Sequence, residues 1–267
     1  MAQPQMPALR PVRFRMARTV FALILREMST TYGRSPGGYL WRIVEPVGGI
    51  AMLTLILAVG LRIRTPSLGI NFPLFFATAV LTIAMFQRTS GTVANALNSS
   101  RQLLFYPGVT FAHAIIARAV LELITGIVVM YLIFGGLLLL FDTRTILDLQ
   151  PILATIAMAW LLGLGVGCLN AYLFPTFPLW ATAWGILTFP LAMMSGLFYI
   201  YEDLPAVGQQ VLWYNPLIHL TGLMRAGFYP TYQPTYIEPA YVVGFALVPM
   251  VLGLMLLRRH SRTILNI

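Results

Sequence analysis

From Leu149 to Tyr201 the chain carries no charged residue, and this stretch does most to limit what it can fold into. About 20 apolar residues in a helix cross the ~30 Å hydrocarbon core of a bilayer, so the stretch holds two crossings. Pro175 and Pro178 mark the turn between them, because proline ends helices. Charges delimit the other candidates. One runs from about Ile43 to Leu61, between Arg42 and Arg62. A second starts near Phe72, is purely apolar to Phe86, and continues after Arg88 through small and polar residues to Ser100. A third covers about Ala119 to Phe141, and the last about Pro239 to Leu257, ended by Arg258. Only 9% of the 267 residues are charged, against about 25% in a soluble domain. Such a chain cannot cover a soluble globule with polar surface, and lipid satisfies no backbone groups, so the spans must be helices. The expectation is an all-α integral membrane fold with six transmembrane helices.

Six spans put both termini on one side, and the positive-inside rule chooses which. All 17 basic residues are arginine. Thirteen of them lie in the N-terminal segment, in the loop between spans two and three, or in the C-terminal tail; Arg62, Arg64, Arg144 and Arg225 fall on the other side. Both termini are therefore expected in the cytoplasm, and the net charge of +9 reads as membrane orientation, with no nucleic acid as partner. The N-terminal apolar run, Val20 to Leu25, is brief and has no small-residue cleavage site after it, so no cleaved signal is expected.

Residues 1–34 divide from 35–267. Within the first part, Phe14 to Thr31 follow a helical period, with Arg15, Arg18, Arg26 and Ser29 on one face and apolar side chains over the rest. This segment is too short to span and reads as an amphipathic helix in the interface plane, either a plain anchor or a lever joined by a Gly/Pro hinge to span one. Between spans five and six, about residues 202–237, two short apolar helical patterns flank the turn signal Asn215-Pro216. They read as a re-entrant pair gating a pathway or as an interfacial hairpin. The polar half of span two, with Thr89, Ser90, Thr92 and Asn95, must face protein or a wet cavity, so it either packs helices through small residues or lines that cavity.

Little here belongs to an enzyme. Without lysine there is no Walker A phosphate loop. His113, His219 and His260 are scattered, and the lone Cys168 lacks companion ligands. Arg42 with Glu45, and Arg118 with Glu122, are spaced i,i+3 and i,i+4, which predicts local pairs. No carboxylate or histidine falls at an expected midplane, which counts against a proton-coupled carrier. The aromatics Tyr39, Trp41, Trp180, Trp184, Tyr199, Tyr201, Trp213 and Tyr214 cluster near span ends, forming an interfacial belt or stacking faces for sugars.

Certain residues carry a resemblance. They are Gly38-Tyr39-Leu40-Trp41 followed by Glu45-Pro46; Phe105-Tyr106-Pro107 before Ile115-Ile116-Ala117-Arg118-Ala119, with Glu122; Phe177-Pro178; Ser195-Gly196 before Phe198-Tyr199; and Asn215-Pro216-Leu217. In their order and spacing the chain resembles the permease subunit of bacterial capsular polysaccharide exporters of the KpsM type, and is similar to O-antigen and teichoic-acid export permeases. The resemblance implies a multi-pass bacterial inner-membrane protein working as a homodimer. Each protomer would bear a separate ABC ATPase subunit of the KpsT type, which carries the ATP and Mg; this chain itself would hold no cofactor. It implies that Arg26, Glu27, Arg101, Phe105 and Tyr106 contact the ATPase. Tyr39, Trp41, Trp180, Trp184, Phe198 and Tyr199 would line a channel for lipid-linked polysaccharide, and two re-entrant helices with Trp213, Asn215 and Pro216 would gate it. Periplasmic and outer-membrane polysaccharide export proteins would be further partners. Leu179 departs from the acidic residue expected after Phe-Pro, which puts a charged ATPase contact from that loop in doubt. A lipid or drug exporter of the same architecture is the alternative.

Overall fold

The computed structural model describes residues 15–32, 38–60, 65–104, 109–143 and 145–266. Among these, every regular element is helical: α1 (Arg15–Tyr32), α2 (Gly38–Leu55, continued by a π-helical turn Ile56–Gly60), α3 (Phe72–Ala94), α4 (Ala96–Ser99), α5 (Arg101–Leu104), α6 (Phe111–Leu140), α7 (Leu149–Thr176), α8 (Pro178–Met193), a 3-10 turn (Tyr201–Asp203), α9 (Ala206–Leu212), α10 (Pro216–Phe228) and α11 (Pro239–Asn266). Among the described residues, five stretches are long and apolar enough to cross a membrane: Leu40–Gly60, Phe72–Ala94, Phe111–Leu140, Leu149–Thr176 and Pro239–His260.

The remaining expected span, the fifth in chain order, is α8. It breaks from α7 at Phe177, between the two prolines. Its 16 residues reach about 24 Å at 1.5 Å each, short of the ~30 Å core. The chain then turns at Gly196, whose φ of +80° favours glycine.

α7 sits at the centre, between α3 on one side and α11 on the other. The run Gly163-x-Gly165-x-Gly167 explains why. At 100° per residue, Gly163 and Gly167 share one face and Gly165 lies opposite. A Cβ on Gly163 would come within 2.8 Å of the Phe86 carbonyl oxygen of α3, and one on Gly167 within 3.0 Å of the Ser90 oxygen. On the other side a Cβ on Gly165 would meet the Ala246 oxygen of α11 at 2.0 Å. Since lipid tails are as apolar as leucine, helices in a bilayer associate through such close approach of small residues. The same contact takes up part of the polar half of α3. Thr89 and Ser90 are buried against these glycines; Thr92 and Asn95 bond back to the carbonyls of Arg88 and Gly91.

Gly165→Val is accordingly expected to destabilise the protein by about 3 kcal/mol or more, at the upper end of overpacking effects, because the new carbon meets backbone. Gly136→Ala, which meets nothing within 4 Å, is the control. Thermal melting in detergent distinguishes them, and equal melting of both variants would contradict the packing described.

Three contacts give the vertical register. The Asp148 N–H at the head of α7 donates to the Gly227 carbonyl of α10 at 2.9 Å, so the end of α10 is level with the start of α7. The Tyr241 hydroxyl of α11 donates to the Tyr214 carbonyl at 2.6 Å. The Asn215 amide donates to Ser195 Oγ beyond α8 at 3.0 Å. With Gly165 opposite Ala246, Tyr241 lies about 17 Å along α7 from its first residue. The α9–α10 turn therefore meets the end of α8 and the first turn of α11, and α10 fills the length beside α7 that α8 does not reach.

Candidate functional site

Among the described residues, three ion pairs tie four helices together at the arginine-rich end. Glu27 of α1 pairs with Arg118 of α6. Arg42 of α2 holds Glu122 of α6 bidentately, Nη1 to Oε1 at 2.5 Å and Nη2 to Oε2 at 2.8 Å. Arg88 of α3 reaches Glu45 of α2 at 2.6 Å. The local pairs predicted from spacing, Arg42 with Glu45 and Arg118 with Glu122, are not the ones formed. One-face spacing permits a pair but does not compel it. The Arg42 and Glu122 side chains are only 15% and 4% exposed, and a forked, charge-assisted contact shielded from water is stronger than an exposed one on the same helix. Glu45, 71% exposed, turns outward instead.

Glu45 and Arg88 stand at one end of a groove of ≈410 Å³ between α2, α3 and α8, with Gly49, Ala84, Gln87 and Met193 among its walls. Gln87 Nε2 donates to the Thr188 carbonyl at 3.2 Å and links α3 to α8. Toward the other end the lining becomes apolar at Leu197, beside which Phe198 packs edge-on against Phe76 at 6.3 Å. The groove opens to one side. It is a half-wall, polar at one end and apolar at the other.

The cap over the opposite end is built around Asn215. Its Oδ1 accepts from the Leu217 N–H at 3.0 Å and caps α10, while its amide nitrogen donates to Ser195; Pro216 follows at the first helical position, where its missing N–H costs nothing. His219 is buried and accepts at Nδ1 from the Glu238 N–H at 3.2 Å. Its Nε2–H therefore donates to the Trp213 carbonyl at 2.8 Å, within a ring of Trp213, Tyr236 and Tyr241. Asn215→Ala is expected to cost about 1–2 kcal/mol as a lost cap. Asn215→Asp, which keeps the capping oxygen, should fall between it and the parent in thermal melting. An alanine variant that melts like the parent would show that the cap contributes nothing.

The expected site residues separate into different places. Arg26, Glu27 and Arg101 lie at the arginine-rich end, with the Glu27 carboxylate turned inward onto Arg118. Phe105 and Tyr106 fall outside the described residues, and for Tyr39 only the backbone position at the start of α2 is described. Trp41 is 62% exposed on α2. Trp180 and Trp184 lie against one another with ring centroids 6.0 Å apart and planes tilted by 35°, but on the flank of α8 that faces α7 and α11, away from the α2–α3–α8 groove. Phe198 and Tyr199 belong to the turn after α8, where the Tyr199 carbonyl accepts from Arg225. Trp213, Asn215 and Pro216 do come together in the cap. Two residues escaped sequence reasoning: Gln87, and above all Arg225, counted only as a loop cation. Among the described residues no group of three His, Cys, Asp or Glu could hold a metal ion.

Comparison with known proteins places this geometry in context. The family described as ABC-2 type transporter matches residues 18–229. The chain is similar to the capsule polysaccharide export inner-membrane protein CtrC of Neisseria meningitidis serogroup B, at 28% identity over 92% of each chain. It is 29% identical to the polysialic acid transport protein KpsM of Escherichia coli, over 93% of this chain and 95% of that one. It is 27% identical to the capsule polysaccharide export inner-membrane protein BexB of Haemophilus influenzae, over 92% of each.

Proposed function

The chain belongs to the ABC-2 type transporter family, and from that premise we propose that it is the permease subunit of an exporter moving lipid-linked capsular polysaccharide across a bacterial inner membrane. The relatives are named for capsule export or polysialic acid transport and align over nearly their whole length. The permease is not itself catalytic; a separate ABC ATPase of the KpsT type binds ATP and Mg and supplies the work.

The observation that carries this reading is the one-sided groove between α2, α3 and α8, joined through ion pairs to the surface helix α1. A half-wall encloses nothing alone. Two protomers related by a two-fold axis would close it into a conduit, as a self-complementary interface allows. Six spans result when α8 is counted together with the α9–α10 pair that continues its length, which supports a re-entrant reading of about 202–237. Both termini are then cytoplasmic. Residues 1–34 supply the tail and interface helix, and 35–267 the membrane domain. The ATPase would engage the arginine-rich end at Arg26, Arg101 and the Phe105-Tyr106 segment, with Glu27 holding α1 onto α6. Periplasmic and outer-membrane export proteins would receive the polymer beyond the cap.

Cells lacking the chain should lose surface polysaccharide while still making it, and the purified permease should support ATP-driven transport only with its ATPase. Intact surface polysaccharide in the null strain, with new sensitivity to drugs, would overturn the cargo assignment.

A further inference from the structure

A second groove, of ≈550 Å³, lies between α7, α8 and α11, on the flank of α8 away from the half-wall described above. It is walled by Trp180, Trp184, Phe245, Val248 and Leu252 among others. α8 leaves it open: no residue of α8 is buried, and α8 leans on α7 without packing on α11 to any comparable extent.

The groove has a polar end as well as an apolar bed. Asn170 lines it and is only 2% exposed. Its Oδ1 accepts from Trp180 Nε1 at 3.0 Å, while its Nδ2 has no acceptor among the described residues. A buried amide nitrogen left unmatched is costly, and an oxygen-bearing group entering at this point would relieve it. One element further along, the chemistry turns cationic. Phe245, Val248 and Leu252 form one stripe of α11, and Arg259 follows Leu252 by seven residues, two turns, on the same face. Arg258 and Arg259 are both exposed. The distance from Leu252 to Arg259 is about 10 Å along the helix.

Depth agrees with this order. Gly165 is level with Ala246, so the lined part of α11 lies beside the middle and second half of α7, and the arginines lie beyond it at the arginine-rich end. The groove thus extends over about one ~15 Å leaflet, apolar toward the midplane, with a hydrogen-bond donor lower down and positive charge at the interface.

We propose that this groove is a binding site for an anionic phospholipid of the leaflet on the arginine-rich side. An acyl chain lies along Phe245, Val248 and Leu252 against the two tryptophans. The ester oxygens approach Asn170, and the phosphate sits at Arg259. The bound lipid supplies packing that α8 lacks from protein. A second copy of the chain is the less suitable occupant: its own end at this level is just as rich in arginine, and the opposite face of α8, with Ile186 and Phe189 each 68% exposed, remains free for it. The site requires only that the chain lie in a bilayer, so it stands or falls independently of the cargo.

Brominated phosphatidylglycerol and brominated phosphatidylcholine, each at low mole fraction in nanodiscs holding the full chain, provide the test. The phosphatidylglycerol probe is expected to quench tryptophan fluorescence at several-fold lower mole fraction than the phosphatidylcholine probe. That preference should disappear in the Trp180→Phe, Trp184→Phe double variant, and should fall about fivefold in Arg259→Gln. Val248→Trp, which fills the groove, should abolish selective binding counted by native mass spectrometry while leaving the helical circular dichroism unchanged. Equal quenching by the two probes would overturn the proposal. So would a Leu252→Cys chain that cross-links to a second copy, or an unchanged lipid count in Val248→Trp.

Discussion

Arg225→Met is expected to lose about 3–5 kcal/mol of stability and to release the cap. The Arg225 side chain is one of the largest fully buried in the molecule, at 1% exposure. Its Nη2 donates to the Gly196 carbonyl at 2.6 Å and its Nη1 to the Tyr199 carbonyl at 2.8 Å, while the guanidinium lies 4.1 Å over the ring of Phe75. The two carbonyls belong to the positive-φ turn that follows α8. Methionine is close in volume but donates nothing, so the buried Gly196 carbonyl and the partly buried Tyr199 carbonyl are left unmatched, at up to about 1–3 kcal/mol each, and the cation–π contact goes too. Arg225→Lys keeps the charge, yet one ammonium lacks the planar fork that reaches two carbonyls while stacking on a ring, so it should recover only part of the loss. Thermal melting in nanodiscs measures the stability, and labelling of cysteines placed at Val207 and Val211 measures cap order. A methionine variant that melts and labels like the parent would show that the arginine clamps nothing.

The helices were legible in the sequence because charge and proline are read along one dimension. The break at Phe177, the start of α3 at Phe72 and the start of α11 at Pro239 all follow from that, and Asn215-Pro216 marked the α9–α10 turn. The faces were not legible. A helix in lipid is apolar all round, so periodicity does not say which side meets protein. Resemblance alone groups Trp180 and Trp184 with Phe198, and only the fold shows that α8 turns them toward α7 and α11. Arg225 is invisible for the opposite reason. A cation in an outer segment reads as a solvated charge, and only the fold shows two carbonyls converging on it. The length of α8 was equally hidden, since nothing in a charge-free run reports where the helix ends. The signal was Ser195-Gly196, where the chain needs a left-handed turn. Spacing alone could not choose between the ion pairs: Glu122 lies equally well for Arg118 on its own helix, and the approach of α2 decides for Arg42.

The choice made at Glu122 leads to the second large effect. Glu122→Ala leaves the Arg42 guanidinium at 15% exposure with its bidentate partner removed. Breaking a buried pair from one side costs about 3–5 kcal/mol, whereas Glu45→Gln, at 71% exposure, should cost no more than about 1 kcal/mol. Glu122 and Arg118 are one turn apart on α6, and Arg118 holds Glu27 of α1, so one face of α6 receives α1 and α2 together. In the proposed exporter, motion of α1 against the ATPase reaches the groove-lining α2 through that face. Glu122→Ala should therefore depress transport more than membrane insertion. The reversed pair, Arg42→Glu with Glu122→Arg, should regain stability and transport relative to either single change, with a coupling of about 1–3 kcal/mol in the double-mutant cycle. Arg118→Met, which removes the ion pair between α1 and α6 but leaves Arg42 and Glu122 paired, should uncouple ATP hydrolysis from transport with a smaller loss of melting temperature. If the reversed pair is no better than the worse single variant, or if Arg118→Met leaves transport per ATP unchanged, then α6 is not the element through which α1 acts on α2.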